Sequence, residues 1–112
     1  MDINIKKVEE INVVELAGDI DASTAPPVQE KVLPLAVPGA KILIDMTKVP
    51  FMSSAGLRVL LSVHRQASSK DAQLVLVGLS EEIEDTMSVT GFLEFFTTCD
   101  TQESGLKAFK IA

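Results

Sequence analysis

The 112-residue chain has no tryptophan, no tyrosine, a single cysteine and a single histidine. Five phenylalanines supply all of its aromatic area. Modules that bind single-stranded nucleic acid stack bases on exposed rings, so this poverty argues against them. Cations are also scarce: 10 Lys and Arg stand against 16 Asp and Glu, a formal net charge of −6. Phosphate backbones are bound by cations, so nucleic acid is not an expected partner. An acidic surface suits a protein partner with basic residues. One thiol, Cys99, makes no intramolecular disulfide and no cysteine-based zinc site. It is expected to pack as a small hydrophobe rather than to react. No apolar run approaches the ~20 residues of a membrane helix. Met1–Lys7 lacks the uninterrupted apolar core of a signal peptide. The expectation is a cytoplasmic protein with no membrane partner.

What is present builds one core. Hydrophobic residues make up 46% of the chain, enough for a single domain over residues 1–112 without disulfides. Asn4–Val8 and Ile11–Ala17 read as strands joined at Glu9-Glu10, a two-residue link that lacks the usual Asn-Gly. Thr24-Ala25-Pro26-Pro27 reads as a hydroxyl-capped helix start with prolines in the first turn. That helix runs to about Leu35, loosened by Pro34, and ends at Pro38-Gly39. Lys41–Met46 is apolar on both faces at Ile42, Leu43 and Ile44, as a covered central strand should be. A helix from about Ala55 to Ser68 follows, with Leu57, Leu60, Leu61 and His64 on one face. Gln73–Gly78 is the next buried strand. Ser80 caps a third helix that stops at Thr90-Gly91. Glu94–Thr98 reads as a short edge strand. Asp100-Thr101-Gln102-Glu103 reads as a capping box with Asp100 in the capping role. It opens a last helix carrying Leu106, Phe109 and Ile111. The order β-β-α-β-α-β-α-β-α implies an α/β fold: a mixed sheet with an N-terminal antiparallel hairpin, packed by about four helices.

Three groups of residues invite chemistry. Ser54 and His64 would be the pair of a hydrolase. However, ten helical residues separate them by roughly 15 Å along the axis, against the roughly 3 Å that a nucleophile and base need. The Gly-x-Ser-x-Gly elbow is absent as well. His64 on an apolar face therefore reads as packing at the core edge. Asp19, Asp21 and Asp45 lie at strand ends, where carboxylates either hold a magnesium ion or accept backbone N–H groups of loops; the second reading is favoured. Neither Walker nor dinucleotide glycine spacing occurs. The third group is Ser53-Ser54, where a strand hands over to a helix. A hydroxyl there either caps the helix or carries a phosphate that the helix start tolerates. Gly18–Asp21 and Asp45–Ser54 both lie at the carboxyl ends of strands, where open α/β sheets gather their contact surfaces.

Several segments resemble those of the STAS domain, and in particular the small stand-alone bacterial anti-sigma factor antagonists. Gly18-Asp19-Ile20-Asp21 is similar to the family's Gly-x-Leu-Asp, and Ile42–Thr47 to its Val-Leu-Asp-Leu-Ser strand. Phe51-Met52-Ser53-Ser54-Ala55-Gly56-Leu57 resembles its Phe-Met-Asp-Ser-Ser-Gly-Leu signature, and Thr90–Leu93 its Thr-Gly-Leu segment. The resemblance implies a non-enzymatic protein without a cofactor. It would bind an anti-sigma factor serine kinase, free the sigma factor, and be released on phosphorylation. A metal-dependent PP2C-type serine phosphatase would restore it. Aligned on Gly56-Leu57, the modified serine is Ser54, with Ser53 as the alternative. Asp19, Asp21, Ser53, Ser54, Ala55, Gly56 and Leu57 would form the partner-binding surface. The family commonly has Asp where Ser53 stands. A STAS scaffold or ligand-sensing module that is never phosphorylated is the alternative function.

Overall fold

The computed structural model describes residues 1–109. Strands β1 (Asp2–Val8) and β2 (Ile11–Ala17) form an antiparallel hairpin. β3 (Lys41–Lys48), β4 (Gln73–Val77) and β5 (Thr97–Cys99) then add in parallel, giving the sheet order β1-β2-β3-β4-β5. Helices α1 (Ala25–Val32), α2 (Ser54–Ser69), α3 (Glu81–Val89) and α4 (Gln102–Lys107) complete the fold. The mixed sheet, its leading hairpin and the four helices agree with the order read from the sequence.

Strand alternation splits the core in two. Val14, Leu16, Ile42, Ile44, Met46 and Leu76 face α1, α2 and α3. Ile11, Val13, Leu43, Val75 and Val77 face the other way, toward Leu106 and Phe109 around α4. β3 buries both faces, so its continuous Ile-Leu-Ile run is what a central strand requires. α4 sits close to the sheet because it presents Gly105: a Cβ there would lie 2.4 Å from Val77 Cγ1 and 2.8 Å from Leu43 Cδ1.

Five local expectations are corrected. α1 stops at Val32 and Leu33–Leu35 forms a 3-10 turn. Pro34 has no N–H to give to the carbonyl four residues back, so the coil tightens. The segment expected as strand Glu94–Thr98 opens instead with a 3-10 turn over Leu93–Phe95, and only Thr97–Cys99 pairs with β4. α4 is capped by Thr101, not Asp100. The Thr101 hydroxyl accepts from Ser104 N–H and Ser104 Oγ accepts from Thr101 N–H, each at 3.1 Å. The buried stripe of α2 is Gly56, Leu57, Val59, Leu60, Val63 and Ala67, with Leu61 and His64 at its margin. The Thr24 hydroxyl makes no cap bond to α1; the bonds it does make belong to the site described next. Ile111, expected on the last helix, lies outside the described residues.

Candidate functional site

The loops after β2 and β3 are bonded to one another. The β2–β3 register breaks between Glu15 and Ala17, and pairing then resumes beyond both strands. Gly18 N–H donates to the Lys48 carbonyl at 3.0 Å, Ile20 N–H to Phe51 at 3.0 Å, and Ser53 N–H to Ile20 at 2.8 Å. Ile20 and Met52 thus form an isolated parallel bridge. Ile20 is 1% exposed and packs beneath the start of α2. Gly56 permits this approach, since a Cβ would lie 2.5 Å from Met52 Cγ and 2.7 Å from Ile20 Cγ2. The bridge brings the segment Asp19–Asp21 alongside Phe51–Ser53.

The two serines differ in what their hydroxyls do. Ser53 is the N-cap of α2, extended at φ −82° and ψ 178°, and its hydroxyl accepts from Ala55 N–H at 3.2 Å. Ser54 is the first residue of the helix and is exposed. Its hydroxyl makes no hydrogen bond among the described residues. Asp and Ser are comparable N-caps, so Ser53 does the capping that an Asp would do at this position. The first turn of α2 carries no acidic residue, whereas that of α3 holds Glu81, Glu82 and Glu84. The positive end of the α2 dipole is therefore not offset from within its own helix.

Asp21 holds the neighbouring loop. Its Oδ1 accepts from Ser23 Oγ at 2.7 Å, Ser23 N–H at 2.9 Å and Thr24 N–H at 3.1 Å. Thr24 Oγ1 accepts from Asp21 N–H at 2.9 Å and donates to the Asp19 carbonyl at 2.8 Å. The reciprocal pair closes the turn that leads into α1, whose N-cap position is Thr24. The Ser23 hydroxyl, followed by the Ser23 and Thr24 N–H groups, holds the Asp21 carboxyl below its ordinary value. Asp19 is exposed.

Asp45 is not part of this surface. It stands beside Glu15 in the β2–β3 register, on the α4 side of the sheet. Gln102 Nε2 donates to Glu15 Oε2 and to Asp45 Oδ2, both at 3.0 Å, and so pins α4 to the sheet. The other Asp45 oxygen accepts from the Thr47 N–H and hydroxyl. Gln102, then Asn4, lowers the Glu15 carboxyl from its ordinary value. Among the described residues no group of three or more His, Cys, Asp or Glu is placed to hold a metal ion. His64 stacks on Phe95 with ring centroids 5.8 Å apart and tilts against Phe96 at 5.3 Å, the edge-packing role expected of it. Cys99 is half-buried against the α4-side core.

Two residues of this region escaped the sequence reading. Phe51 is 50% exposed two residues before Ser53, where a ring in a buried strand–helix junction would ordinarily turn inward. Arg58 is exposed one turn along α2 and lines a groove of about 630 Å³ between α1 and α2, together with Ala22, Pro26, Glu30 and Ala55. Spacing alone offered a signal for Arg58, which is four residues after Ser54 on a helix.

Fold and site together define a class: a small mixed α/β module whose distinctive surface is a bonded pair of loops around one helix start. The chain belongs to the STAS domain family, whose model matches residues 2–105. An anti-sigma-B factor antagonist of Bacillus subtilis (strain 168) is 30% identical over 107 residues, which is 96% of this chain and 98% of that protein. The crystal structure of an anti-sigma factor antagonist from Mycobacterium paratuberculosis superposes with a TM-score of 0.83 at 22% identity, covering 96% and 92% of the two chains. The Bacillus cell fate determinant SpoIIAA, solved in its phosphorylated form, superposes with a TM-score of 0.73 at 18% identity, covering 95% and 97%. Among the described residues no helix is long and apolar enough to cross a membrane.

Proposed function

We propose that this protein is a cytoplasmic anti-sigma factor antagonist whose binding surface is switched by phosphorylation of Ser54. The unmodified surface, formed by Asp19, Asp21 and Ser53 to Leu57 with exposed Phe51, docks on an anti-sigma factor that is also a serine kinase. Docking releases the sigma factor. In the kinase step the Ser54 Oγ bonds to the γ-phosphorus of ATP, the bond to ADP breaks, and the hydroxyl proton passes to a base on the kinase. A PP2C-type phosphatase returns the hydroxyl by hydrolysis. The protein itself needs no cofactor and catalyses nothing.

One observation carries this reading: Ser53 uses its hydroxyl to cap α2, while Ser54 is exposed and its hydroxyl is unbonded among the described residues. Modification of Ser54 would therefore leave the fold intact. Phosphate adds about −1.5 to −2 charges at pH 7, and Asp21 stands on the same surface. Like-charge juxtaposition at an interface costs several kcal/mol. Each ~1.4 kcal/mol is tenfold in affinity, so one phosphate is enough to dissociate a micromolar complex.

The test is co-purification from the native cell, followed by intact-mass measurement with and without ATP. Wild type and Ser53→Ala should gain one phosphate, and Ser54→Ala should bind the partner but gain none. Phosphate retained in Ser54→Ala and lost in Ser53→Ala would move the site by one residue. No phosphate on any form, with the partner still bound, would favour an unmodified STAS scaffold.

A further inference from the structure

Arg58 makes no ion pair and no side-chain hydrogen bond among the described residues, although the protein is rich in carboxylates. It is exposed, four residues after Ser54 on the same helix. At 3.6 residues per turn the two side chains project about 40° apart, and at this spacing their Cβ atoms are about 6 Å from one another. The residues of α2 that line the α1–α2 groove are Ala55, Arg58, Val59 and Ser62. On the helical wheel Arg58 is the member of that set nearest the Ser54 direction. Glu30 of α1 lines the same groove, yet no ion pair joins it to Arg58. Arg58 thus lines the groove one turn from the hydroxyl proposed for modification, with no partner among the described residues.

We infer that Arg58 is the internal counter-ion of phosphorylated Ser54, and that pairing with the phosphate draws its guanidinium out of the groove between α1 and α2. The inference rests on Ser54 as the modified residue. A guanidinium fork matches phosphate oxygens bidentately, as an ammonium does not. Asp19 and Asp21 on the bridged loop, Glu30 of α1 and Glu82 of α3, which lines a pocket with Phe51 and Met52, act in the opposite sense and disfavour the dianion. The switch then has two parts. Phosphorylation adds negative charge to the surface, and it also removes a cation from the groove where the unmodified protein presents it. Ser53 does not share this relation, because it is the extended N-cap outside the helix and its hydroxyl is committed to the Ala55 N–H.

The experiment installs phosphoserine during synthesis of the full chain, at position 54 or at position 53, in wild-type, Arg58→Gln and Arg58→Lys backgrounds. The second ionisation of the phosphate is followed by phosphorus NMR at low salt. Arg58→Gln should raise that pKa at position 54 by about 0.3 unit, with Arg58→Lys in between and position 53 unmoved. An unchanged pKa at position 54, or an equal rise at both positions, would overturn the pairing. Unchanged thermal midpoints in the unphosphorylated variants show that the fold is kept. Because the phosphate is placed chemically, this result is independent of whether a kinase modifies Ser54. Failure of ATP-dependent mass gain would count against the proposed function, whereas failure of the NMR shift would count against Arg58 alone.

Discussion

At the scale of single residues, two adjacent hydroxyls differ in what they hold, and the proposed switch builds on that difference. Ser53 satisfies an otherwise orphaned N–H at the start of α2. Ser54, one position on, satisfies nothing among the described residues. Ser53→Ala should therefore lower unfolding free energy by about 1 kcal/mol, while Ser54→Ala should change it by less than about 0.5 kcal/mol. Urea denaturation of the two variants checks this, and equal losses would contradict the assignment of the cap. Asp21 adds a pH signature. Its carboxyl is held below the ordinary value by the Ser23 hydroxyl and the loop N–H groups. A depressed folded pKa gives stability that is fully present above the unfolded value, near 4, and is lost as pH falls through the folded value. The advantage of wild type over Asp21→Ala should thus be constant from pH 7 to 5 and shrink below about pH 4. A gap that stays constant to pH 3 would show that the charge on Asp21 is not what holds the loop. The sequence placed a hydroxyl at this helix start but could not say which serine caps. That depends on where the helix begins, and the Ser53–Ile20 backbone bond, which fixes that point, joins two loops distant in sequence.

At the scale of elements, turns are where local chemistry and topology conflict. Glu9 and Glu10 join β1 to β2 with φ of 48° and 74°, so both lie in the left-handed region. That is the geometry of a tight type I′ hairpin turn, which Asn-Gly adopts without strain. Each L-residue held there costs about 1 kcal/mol. Replacing the pair, Glu9→Asn with Glu10→Gly, should raise the thermal midpoint by about 4 °C or more. No rise on thermal unfolding followed by circular dichroism would mean that the turn is unstrained. The strands themselves were legible, because the Ile42–Ile44 run and the alternating Val and Leu of Ile11–Ala17 have one reading in a covered sheet. β5 was not. Phe92, Leu93 and Phe96 pack against the α1–α3 core from a 3-10 turn, and a three-residue strand leaves too little pattern to see. The Asp100 cap failed for a related reason: Asp, Thr and Ser all cap helices, and the reciprocal Thr101–Ser104 pair wins by satisfying two N–H groups at once. Asp45 was grouped with Asp19 and Asp21 as a strand-end carboxylate. The pleat turns it to the α4 side instead, where Gln102 holds it beside Glu15.

At the scale of the whole molecule, two faces of one sheet carry different duties. α4, Gly105 and the Gln102 fork close one face, and α1 to α3 close the other. The bonded loops at the carboxyl ends of β2 and β3 are supported from below by Ile20 and Gly56. Under the proposed switch, a modification at Ser54 would reach a partner without passing through the core, and its effect on binding should far exceed its effect on folding. A net charge of −6 makes one further phosphate a small change to the molecule and a large change to the patch around Asp21. The measurement that tests this most directly is calorimetric titration of the kinase-type anti-sigma factor with unmodified and Ser54-phosphorylated protein, with thermal midpoints taken in parallel. Binding at least tenfold weaker for the phosphorylated form, with a midpoint within about 2 °C of the unmodified one, is the predicted result. Equal affinity for the two forms would contradict the account.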